Sequence, residues 1–496
     1  MWDRRTLKPP ARFNDYVTVT ALMMPVVQSE MYGEVKLSVS EAMKDPKWKS
    51  AMLDEYESLI MQTWVLVNKP KDARPLTCRW VFCLKEDGRY KARLVVRGFE
   101  QTYGQNYFDV FSPVARHTSV RLILSIAASE NMKVMNFDVK TAFLHGDLEE
   151  QIFMFQPEGF SDKSNKVCLL KKSLYGLKQA PRNWNGRFTK FLKSLHFEPA
   201  DDDPCVYYDN GCNTMIVLHV DDGLMVGRNP TAMIQILKKL NKEFKITFNS
   251  GKDESLTYIG MQIKSGPDGI SINQSRYAER ILQRYKFTNL NPANTPMERG
   301  MCADADKFVN NKPLDESYPY REYVKETLHY GIHFNGNREL VAYCDSDFDG
   351  DEVTGKSTTG VIVLRGGPLV WITKKQPLVA NSTAEAEYRA AVAALDEISW
   401  IRRLAHELQH LDLDKPTPLS IDNRSAIHML ENTHEGKVTK GKKHIEISRK
   451  FIQQHIGTTV NWKSIRSEDQ LADFLTKPLS RKLFENLIFK IIKEEC

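Results

Sequence analysis

The chain has 496 residues, 42% of them hydrophobic and 27% charged, a composition typical of globular proteins with roughly two to four domains. Its 69 basic and 63 acidic residues give a net charge of +6, which permits a polyanionic partner where basic residues cluster. The chain contains no run of about 18 apolar residues and no CxxC pair, so neither a membrane span nor a zinc site is expected. The charged N-terminus lacks the apolar core of a signal peptide, and we expect an intracellular protein, in the cytoplasm or nucleus.

The N-terminal part predicts a tail followed by a helix. Residues 1–44 are basic and proline-rich at the start, show no strong periodicity and are expected to form a tail. Residues 45–59 begin with an Asp-Pro pair, which is typical of a helix N-terminus. Trp48, Met52 and Tyr56 fall on one face of this predicted helix.

A hairpin rich in basic residues is predicted at 78–99, with its turn at Asp87-Gly88. Its basic residues are Arg79, Lys85, Arg89, Lys91, Arg93 and Arg97. A solvated surface is the ordinary explanation for such charges. Their clustering on one two-stranded ribbon also suits contact with phosphates, and both interpretations stay open here.

Aspartates interrupt two apolar strands in the first half of the chain. Asp138 lies near the end of one strand, and IVLHVDDGLMVG at 216–227 places Asp221 and Asp222 between two apolar arms. An Asp-Gly hairpin turn accounts for one aspartate, but a second like charge is unfavourable unless a cation lies nearby. Three converging carboxylates with two metal ions suit nucleotidyl transfer, in which one ion activates a 3′-hydroxyl and the other holds a triphosphate.

Residues 168–195 interleave basic and aromatic side chains. Trp184, Phe188 and Phe191 recur at helical spacing and predict a buried helix face. The basic side chains beside the Gly-Leu-Lys-Gln turn suit a nucleic-acid groove.

A second unit begins near residue 338, after a weakly patterned, proline-containing stretch at 288–335. Its predicted elements alternate strands and helices, which suits a compact α/β domain. Acidic residues recur at its strand ends and helix faces, namely Asp345, Glu385 or Glu387, Asp422 and Asp473. Converging carboxylates hold paired Mg²⁺ ions about 4 Å apart, which suits phosphodiester hydrolysis.

Longer segments carry a family resemblance. They are WVFCLKEDGRYKARLVVRGFEQ, NFDVKTAFLHGDL, QPEGF, SLYGLKQAPRNW, HVDD, YIGMQI, CDSDFDGD, KSTTG, STAEAEYRA, IDNRSAI, KKHIE and QLADFLTKPL. Through these segments, residues 40–478 resemble the reverse transcriptase and ribonuclease H region of a copia-type LTR retrotransposon Pol polyprotein.

The resemblance implies an α+β fold class, with right-hand polymerase fingers and palm, a largely missing thumb, and then an α/β ribonuclease H-like domain. The implied domains are an N-terminal tail or linker (1–44), fingers and palm (45–290), a truncated thumb or connection linker (291–337), the ribonuclease H-like domain (338–478) and a C-terminal tail (479–496).

The resemblance also assigns catalytic, metal-binding carboxylates. Those of the palm are Asp138, Asp221 and Asp222, and those of the nuclease are Asp345, Glu387, Asp422 and Asp473. Glu387 is preferred to Glu385 because the segment Glu-Tyr-Arg-Ala-Ala resembles the family's helix start. Each set is expected to hold two Mg²⁺ ions, or Mn²⁺.

Nucleotide-binding residues are implied in the same way. Lys85 and Arg93 are expected to hold the triphosphate, and Phe143 is expected to exclude a ribose 2′-hydroxyl. Gly176 and Gln179 are expected near the template and the incoming base.

The implied function is RNA-directed DNA polymerase with ribonuclease H, acting on an RNA template, a DNA primer, an RNA/DNA hybrid and deoxynucleoside triphosphates. Two departures stand out: His219 replaces the family's tyrosine, and Glu322 runs directly into Tyr323 where a long helical stretch is expected. We therefore expect a truncated copy. The alternatives are a non-catalytic nucleic-acid-binding remnant and ribonuclease H activity alone.

Overall fold

The computed structural model describes residues 35–60, 62–85, 88–249, 251, 255–287, 293, 295–296, 324–351, 353–431 and 452–494. The Glu322–Tyr323 junction and Asp87 of the predicted hairpin turn lie outside these ranges. Within them, no helix combines the length and the apolar character needed to cross a bilayer. The helices are α1 (Val39–Ala42), α2 (Pro46–Ile60), α3 (His117–Ser129), α4 (Ala180–Ser194), α5 (Pro230–Phe244), α6 (Ser275–Arg284), α7 (Thr383–Glu407), α8 (Arg424–Glu431) and α9 (Arg481–Ile488).

The first part of the chain forms several antiparallel sheets. Their strands are β1 (Trp64–Asn68), β2 (Cys78–Leu84), β3 (Tyr90–Val96), β4 (Lys133–Val139), β5 (Phe153–Met154), β6 (Lys166–Leu170), β7 (Phe197–Pro199), β8 (Val206–Asp209), β9 (Thr214–His219), β10 (Asp222–Gly227), β11 (Ile246–Phe248), β12 (Ser255–Tyr258), β13 (Met261–Gly266) and β14 (Gly269–Asn273). The sheet orders are β2-β3, β1-β6-β5 and β11-β4-β10-β9-β8-β7.

The six-stranded sheet fixes the aspartates. Strands β9 and β10 are apolar and almost wholly buried, because helices and loops cover both faces of the sheet. Strand β10 pairs with β4 so that Asp222 stands opposite Asp138. The chain therefore brings two distant segments to the same end of the sheet.

The remaining strands are β15 (Tyr330–Phe334), β16 (Leu340–Asp351), β17 (Lys356–Arg365), β18 (Pro368–Lys375), β19 (Thr417–Ile421), β20 (Val460–Ser464) and β21 (Ile492–Glu494). The nuclease-like sheet has the order β18-β17-β16-β19-β20. Its first three strands are antiparallel, whereas β16, β19 and β20 run parallel. Together with the sheets of the first part, this arrangement confirms the expected α+β class with a ribonuclease H-like region.

Three segments expected to be tails or linkers contain regular structure instead. Within 1–44, α1 begins at a capping box formed by Ser38 and Glu41. Within 291–337, β15 pairs with β14, and in the predicted C-terminal tail β21 pairs with β15. These elements are short, and tertiary partners rather than local periodicity stabilise them. Phe484 and Leu487 of α9, for example, are buried.

Helix α3 lies between the six-stranded sheet and the nuclease-like sheet and contacts β10, β14, β15 and β18. Ser125 of α3 donates a hydrogen bond to the Arg365 carbonyl oxygen, and the buried Arg365 guanidinium donates to Ser125 Oγ at 3.0 Å. At the other end of this contact, Trp400 Nε1 donates to the Asp202 carbonyl at 3.2 Å. Buried apolar side chains of both parts also form one cluster, which includes Ile126 of α3, Val217 of β9 and Leu395 of α7.

The basic ribbon β2-β3 is fixed to the loop that precedes α4 by a contact between two glycines. Val96 N donates to the Tyr175 carbonyl at 2.8 Å, and Gly98 lies against the carbonyl of Gly176. Gly176 has a φ of +94°, and a Cβ built there would lie 2.0 Å from the Val96 carbonyl oxygen. Only glycine satisfies both the backbone conformation and this close approach.

We expect Gly176→Ala to lower the free energy of unfolding by at least about 2 kcal/mol, because it adds both backbone strain and a steric clash. Gly186→Ala is the matched control, since a Cβ there meets no atom within 4 Å and the residue lies inside α4. The control is expected to be neutral or stabilising by up to about 1 kcal/mol. Urea unfolding followed by circular dichroism measures both, and equal stability of the two variants would contradict the packing described.

Candidate active sites

The three aspartates of the first part lie at a rigid turn. Val139 N donates to the Asp221 carbonyl at 2.9 Å, and Trp184 Nε1 donates to the Val220 carbonyl at 2.6 Å. Val220 has a left-handed φ of 60°, so it is held in a conformation that a β-branched residue rarely adopts. The turn therefore presents Asp221 and Asp222 from a fixed backbone.

These aspartates share one cavity of about 530 Å³ with the basic ribbon. The predicted triphosphate residues Lys85 and Arg93 also line it. The lining further includes Glu55, Arg89, Lys91, Lys140 and Tyr175. The three aspartates of this two-sided cavity come from the six-stranded sheet, whereas Lys85, Lys91 and Arg93 come from the ribbon β2-β3.

Lys91 belongs to this cavity although sequence reasoning did not single it out. A signal was available, because Lys91 and Arg93 stand two residues apart on β3 and such residues point to the same face of a strand. Burial, followed by the charges of Arg93 and Lys85, lowers the pKa of Lys91 to about 8. Positive charges are therefore close together on the ribbon, as negative charges are at the turn.

Burial raises the pKa of all three carboxyl groups, and repulsion from neighbouring carboxylates raises the pKa of Asp221 and Asp222 further. Burial raises the pKa of Asp138, and burial together with the charge of Asp138 raises the pKa of Asp221. The pKa of Asp222 rises to about 8, through burial, then Asp221, then Asp138. Such a set of oxygen ligands fits a divalent cation, because a bound cation would compensate both the burial of the carboxylates and the repulsion between them.

Three predicted nucleotide-binding residues, Phe143, Gly176 and Gln179, are absent from the described lining of the cavity. Phe143 is buried, and its ring meets the Tyr175 ring edge-on at 5.0 Å between centroids, so it supports a residue that does line the cavity. Gln179 is buried and accepts a hydrogen bond from Gln101 Nε2 at 2.9 Å.

His219, which replaces the family's tyrosine, lies at the end of β9. Burial, and then the charge of His117, lowers the pKa of His219 to about 4. Its Nδ1 is buried and has no hydrogen-bond partner among the described residues. The imidazole is therefore neutral near pH 7, and its own titration contributes no pH dependence there.

Three carboxylates of the second part form a compact cluster. Asp345 of β16, Glu387 of α7 and Asp422 after β19 each place an oxygen within 4.8 Å of the others. Ser346 N donates to Glu387 Oε1 at 3.2 Å, whereas Glu387 Oε2 is buried without a hydrogen-bond partner among the described residues. Because an unpartnered buried carboxylate oxygen is unfavourable, this cluster fits a divalent cation.

Asp473 lies beside this cluster and is bridged to it by Lys477, which sequence reasoning missed. Lys477 Nζ lies 2.9 Å from Asp473 Oδ1 and 3.8 Å from Asp345 Oδ2. Burial, followed by the charge of Asp345, raises the pKa of Asp473. The four-residue spacing was the available signal, since side chains four apart meet on one turn of helix.

The geometry separates Glu387 from Glu385. Glu385 Oε1 accepts from Arg389 at 2.6 Å, and Glu385 Oε2 accepts from the Asn381 side chain at 2.9 Å. Its oxygens are therefore occupied at the start of α7. Glu387 instead faces Asp345 and Asp422, whose charges, after burial, raise its pKa.

Comparison with known proteins gives one family match. Residues 61–299 match the family model described as reverse transcriptase (RNA-dependent DNA polymerase). The chain is 35% identical over 514 residues to the Retrovirus-related Pol polyprotein from transposon TNT 1-94 of Nicotiana tabacum, covering 90% of the chain and 38% of that protein. It is 33% identical over 506 residues to the Pol polyprotein from transposon RE1 of Arabidopsis thaliana, covering 91% of the chain and 34% of that protein. The chain thus spans less than two fifths of the length of these relatives.

Solved structures give weaker matches. The foamy viral protease-reverse transcriptase in complex with double-stranded DNA is 14% identical, covers 85% of this chain and 70% of that chain, and has a TM-score of 0.48. LC11-RNase H1 in complex with an RNA/DNA hybrid is 18% identical, covers 28% of this chain and 94% of that chain, and has a TM-score of 0.21.

In EDTA, we expect Asp222→Asn to raise the thermal midpoint of unfolding, increasingly so as pH rises. Burial and the neighbouring carboxylates raise the Asp222 pKa from an ordinary 3.8, expected in the unfolded state, to about 8 in the folded state. Between these two pH values the folded state therefore binds more protons than the unfolded state. The free energy of unfolding therefore falls as pH rises through this window, and asparagine removes that loss. Asp268→Asn, in an exposed turn, is the control, and a gain independent of pH would contradict the shift.

A second prediction concerns divalent-ion binding at the compact cluster. Glu387→Gln is expected to weaken Mg²⁺ binding there, because it removes a charge from the cluster. Glu385→Gln is expected to leave binding intact while lowering the free energy of unfolding by about 1 kcal/mol through the lost contacts with Arg389. Isothermal titration calorimetry measures the Mg²⁺ affinity of both variants. Weakened Mg²⁺ binding in Glu385→Gln alone would show that Glu385, and not Glu387, is the ligand.

Proposed function

Residues 61–299 belong to the reverse transcriptase family, in the form carried by copia-type retrotransposon Pol polyproteins, and from this premise we propose that the chain is an RNA-directed DNA polymerase with an attached ribonuclease H. The observation that carries the proposal is the two-sided cavity, which is lined both by Asp138, Asp221 and Asp222 and by Lys85, Lys91 and Arg93. A triphosphate needs cations for its oxygens and a carboxylate-held site for its reacting end, and this cavity offers both.

Each wall has a part in the proposed reaction. Asp138, Asp221 and Asp222 would hold two divalent ions, Mg²⁺ or Mn²⁺, which when bound acidify the primer 3′-hydroxyl and neutralise the triphosphate. The ammonium groups of Lys85 and Lys91 and the Arg93 guanidinium would bind the β- and γ-phosphates. These three cations repel one another in the empty cavity. A bound triphosphate would offset this repulsion, which favours its binding.

Discrimination against ribonucleotides would depend on Tyr175 and Phe143. Tyr175 lines the cavity, and the Phe143 ring packs against its edge. A deoxyribose would lie against the ring of Tyr175, which Phe143 supports, and an added 2′-hydroxyl would meet the face of this ring without a hydrogen-bond partner. Deoxynucleoside triphosphates are therefore the proposed substrates.

The compact cluster supports the second activity, hydrolysis of the RNA strand of an RNA/DNA hybrid. Asp345, Glu387 and Asp422 supply converging oxygens. Asp473, which is held by Lys477, would supply a fourth carboxylate beside this cluster. Ribonuclease H activity alone is the second candidate function, because among the described residues only this cluster brings three ligand oxygens within 4.8 Å of one another.

Primer extension tests the proposal. The full chain is incubated with an RNA template, an annealed DNA primer, four deoxynucleoside triphosphates and Mg²⁺. We expect extension by the unmodified chain and none above background by the Asp221→Asn/Asp222→Asn variant, since both turn carboxylates are then lost. Cleavage of an RNA/DNA hybrid is assayed in parallel.

Glu387→Gln provides the matched control, because it should keep primer extension and lose hybrid cleavage, the reverse of the double variant. Extension that survives in the double variant would overturn the assignment of the palm residues. Hybrid cleavage by the unmodified chain without any extension would replace the polymerase proposal by the second candidate.

A further inference from the structure

The two-sided cavity is also lined by a carboxylate to which the proposed reaction gives no part. Glu55 lines it together with Asp138, Asp221 and Asp222, but Glu55 comes from α2 and not from the six-stranded sheet. A partly buried carboxylate is unfavourable unless cations or hydrogen-bond donors compensate its charge. The surroundings of Glu55 therefore show on which groups its charge acts.

Packing of α2 against the basic ribbon fixes the position of Glu55. Met52 and Leu59 are buried, and Glu55 shares their face of the helix because it lies three residues after one and four before the other. Earlier on this face, the Trp48 ring meets the Phe82 ring of β2 edge-on at 5.3 Å between centroids. Glu55 is therefore carried on the side of the helix that contacts the ribbon.

Glu55 contacts strand β3 directly beside the cations of the ribbon. Its Oε1 accepts a hydrogen bond from Leu94 N at 3.4 Å. The neighbouring Arg93 guanidinium lies over the Tyr175 ring, 5.2 Å from the centroid, and both residues line the cavity. Burial raises the pKa of Glu55. The Leu94 hydrogen bond, and then the charges of Arg93 and Lys91, lower this pKa, so the carboxylate interacts with two cations proposed to bind the triphosphate.

The interaction is reciprocal at Lys91. Burial, followed by two neighbouring cations, lowers the pKa of Lys91, and the charge of Glu55 acts in the opposite direction. Glu55 raises the Lys91 pKa more than Asp221 does, so it is the stronger of these two negative charges. A negative charge close to Lys91 and Arg93 opposes the attraction of both cations for phosphate oxygens.

The same cations would bind both the substrate and the product of the proposed reaction. In nucleotidyl transfer the primer 3′-oxygen, after losing its proton, forms a bond to the α-phosphorus, and the bond from this phosphorus to the bridging oxygen breaks. Pyrophosphate keeps the electron pair of the broken bond and both of the phosphates that the ribbon binds. Stronger binding by the ribbon therefore retains the product as well as the substrate, and product release limits the turnover of many enzymes.

Resting on the proposed polymerase function, we propose that Glu55 limits the affinity of Lys91 and Arg93 for phosphates, so that pyrophosphate leaves the cavity after each transfer. In this role Glu55 acts through the two cations and is not itself a catalytic residue. A purely structural role makes the opposite prediction. Loss of a structural support would loosen the ribbon and weaken phosphate binding, whereas loss of a counter-charge strengthens it.

Binding of inorganic pyrophosphate tests the inference without chemistry. Isothermal titration calorimetry gives the dissociation constant of pyrophosphate for the full chain in the presence of Mg²⁺. Glu55→Gln removes the charge at nearly unchanged volume, and the dissociation constant is expected to fall by about three- to tenfold. Glu55→Met, a second variant without the charge, should show the same fall. Glu55→Asp keeps the charge and is expected to stay within about twofold of the unmodified chain.

Glu57→Gln is the matched control, because it removes the same charge from an exposed position of the same helix, where solvent screens it. It should leave the dissociation constant unchanged. A double variant adds a readout that a structural role would not change. In the Lys91→Gln background, the gain in affinity from Glu55→Gln should shrink, because one of the two cations through which Glu55 acts is missing. Circular dichroism checks that each variant is folded.

Primer extension provides the kinetic counterpart. In Glu55→Gln, the KM for deoxynucleoside triphosphates and the inhibition constant for pyrophosphate should both fall by about three- to tenfold. The rate of a single nucleotide addition, measured with enzyme in excess over primer, should stay within about twofold, because Glu55 holds no reacting atom. Repeated additions should slow, because pyrophosphate stays bound for longer.

An unchanged or increased dissociation constant in a folded variant without the Glu55 charge would overturn the inference, as would the absence of pyrophosphate binding by the unmodified chain. The outcome is separable from that of the proposed function, because binding requires no transfer. A chain without primer extension, but with tighter pyrophosphate binding in Glu55→Gln, would refute the polymerase and keep the counter-charge. Primer extension with equal pyrophosphate affinities in the two chains would do the reverse.

Discussion

Repulsion between carboxylates that the fold forces together is the interaction on which both candidate sites depend. Asp221 and Asp222 are adjacent in the chain, and strand pairing adds Asp138 opposite Asp222. The arms of the turn cannot move apart, because β9 and β10 are buried and Trp184 holds the Val220 carbonyl. Burial of the apolar side chains of those strands offsets the unfavourable repulsion between the carboxylates. A cation bound between them would relieve this repulsion, which favours cation binding.

The two sites meet this constraint differently. In the first part of the chain, the counter-charge on Lys91 and its neighbours lines the same cavity as the aspartates, and the cavity leaves room for a ligand. In the nuclease-like part, Lys477 reaches directly to Asp473 and approaches Asp345, while one buried oxygen of Glu387 has no hydrogen-bond partner within the part of the chain that the structure describes. The first arrangement suits a large polyanionic substrate with its ions, and the second suits ions held tightly at a strand end.

Local patterns predicted the parts of this structure that local physics determines. The two apolar arms located the β9-β10 hairpin, and apolar strands ending in acids located Asp138, Asp345 and Asp422. The predicted Asp222-Gly223 turn was wrong, because both residues pair within β10 and the turn itself is Val220-Asp221. Lys91 was also within reach, since it shares a strand face with Arg93. The grouping of these residues depended on pairing between distant strands, which the family resemblance supplied and periodicity alone did not.

The rest depends on long-range packing that no local pattern encodes. The C-terminal segment was expected to be a tail, yet its strand β21 pairs with β15. This pairing was not predicted, because the partner strand lies far away in sequence. The placement of α3 between both parts is equally non-local: Ser125 meets Arg365, which is 240 residues away. Gly176 was expected near the template for its position in a motif, whereas its φ and its contact with Val96 show a backbone reason for glycine.

The most direct test of the central claim is a crystal structure of the chain grown with Mn²⁺, using anomalous scattering to locate the ions. The account predicts anomalous peaks between Asp138 and the Asp221–Asp222 turn, and a further peak within the cluster formed by Asp345, Glu387 and Asp422. Occupied peaks at both places would show that the repelling carboxylates are cation sites. Well-ordered carboxylates with no anomalous peak at either place would contradict the account.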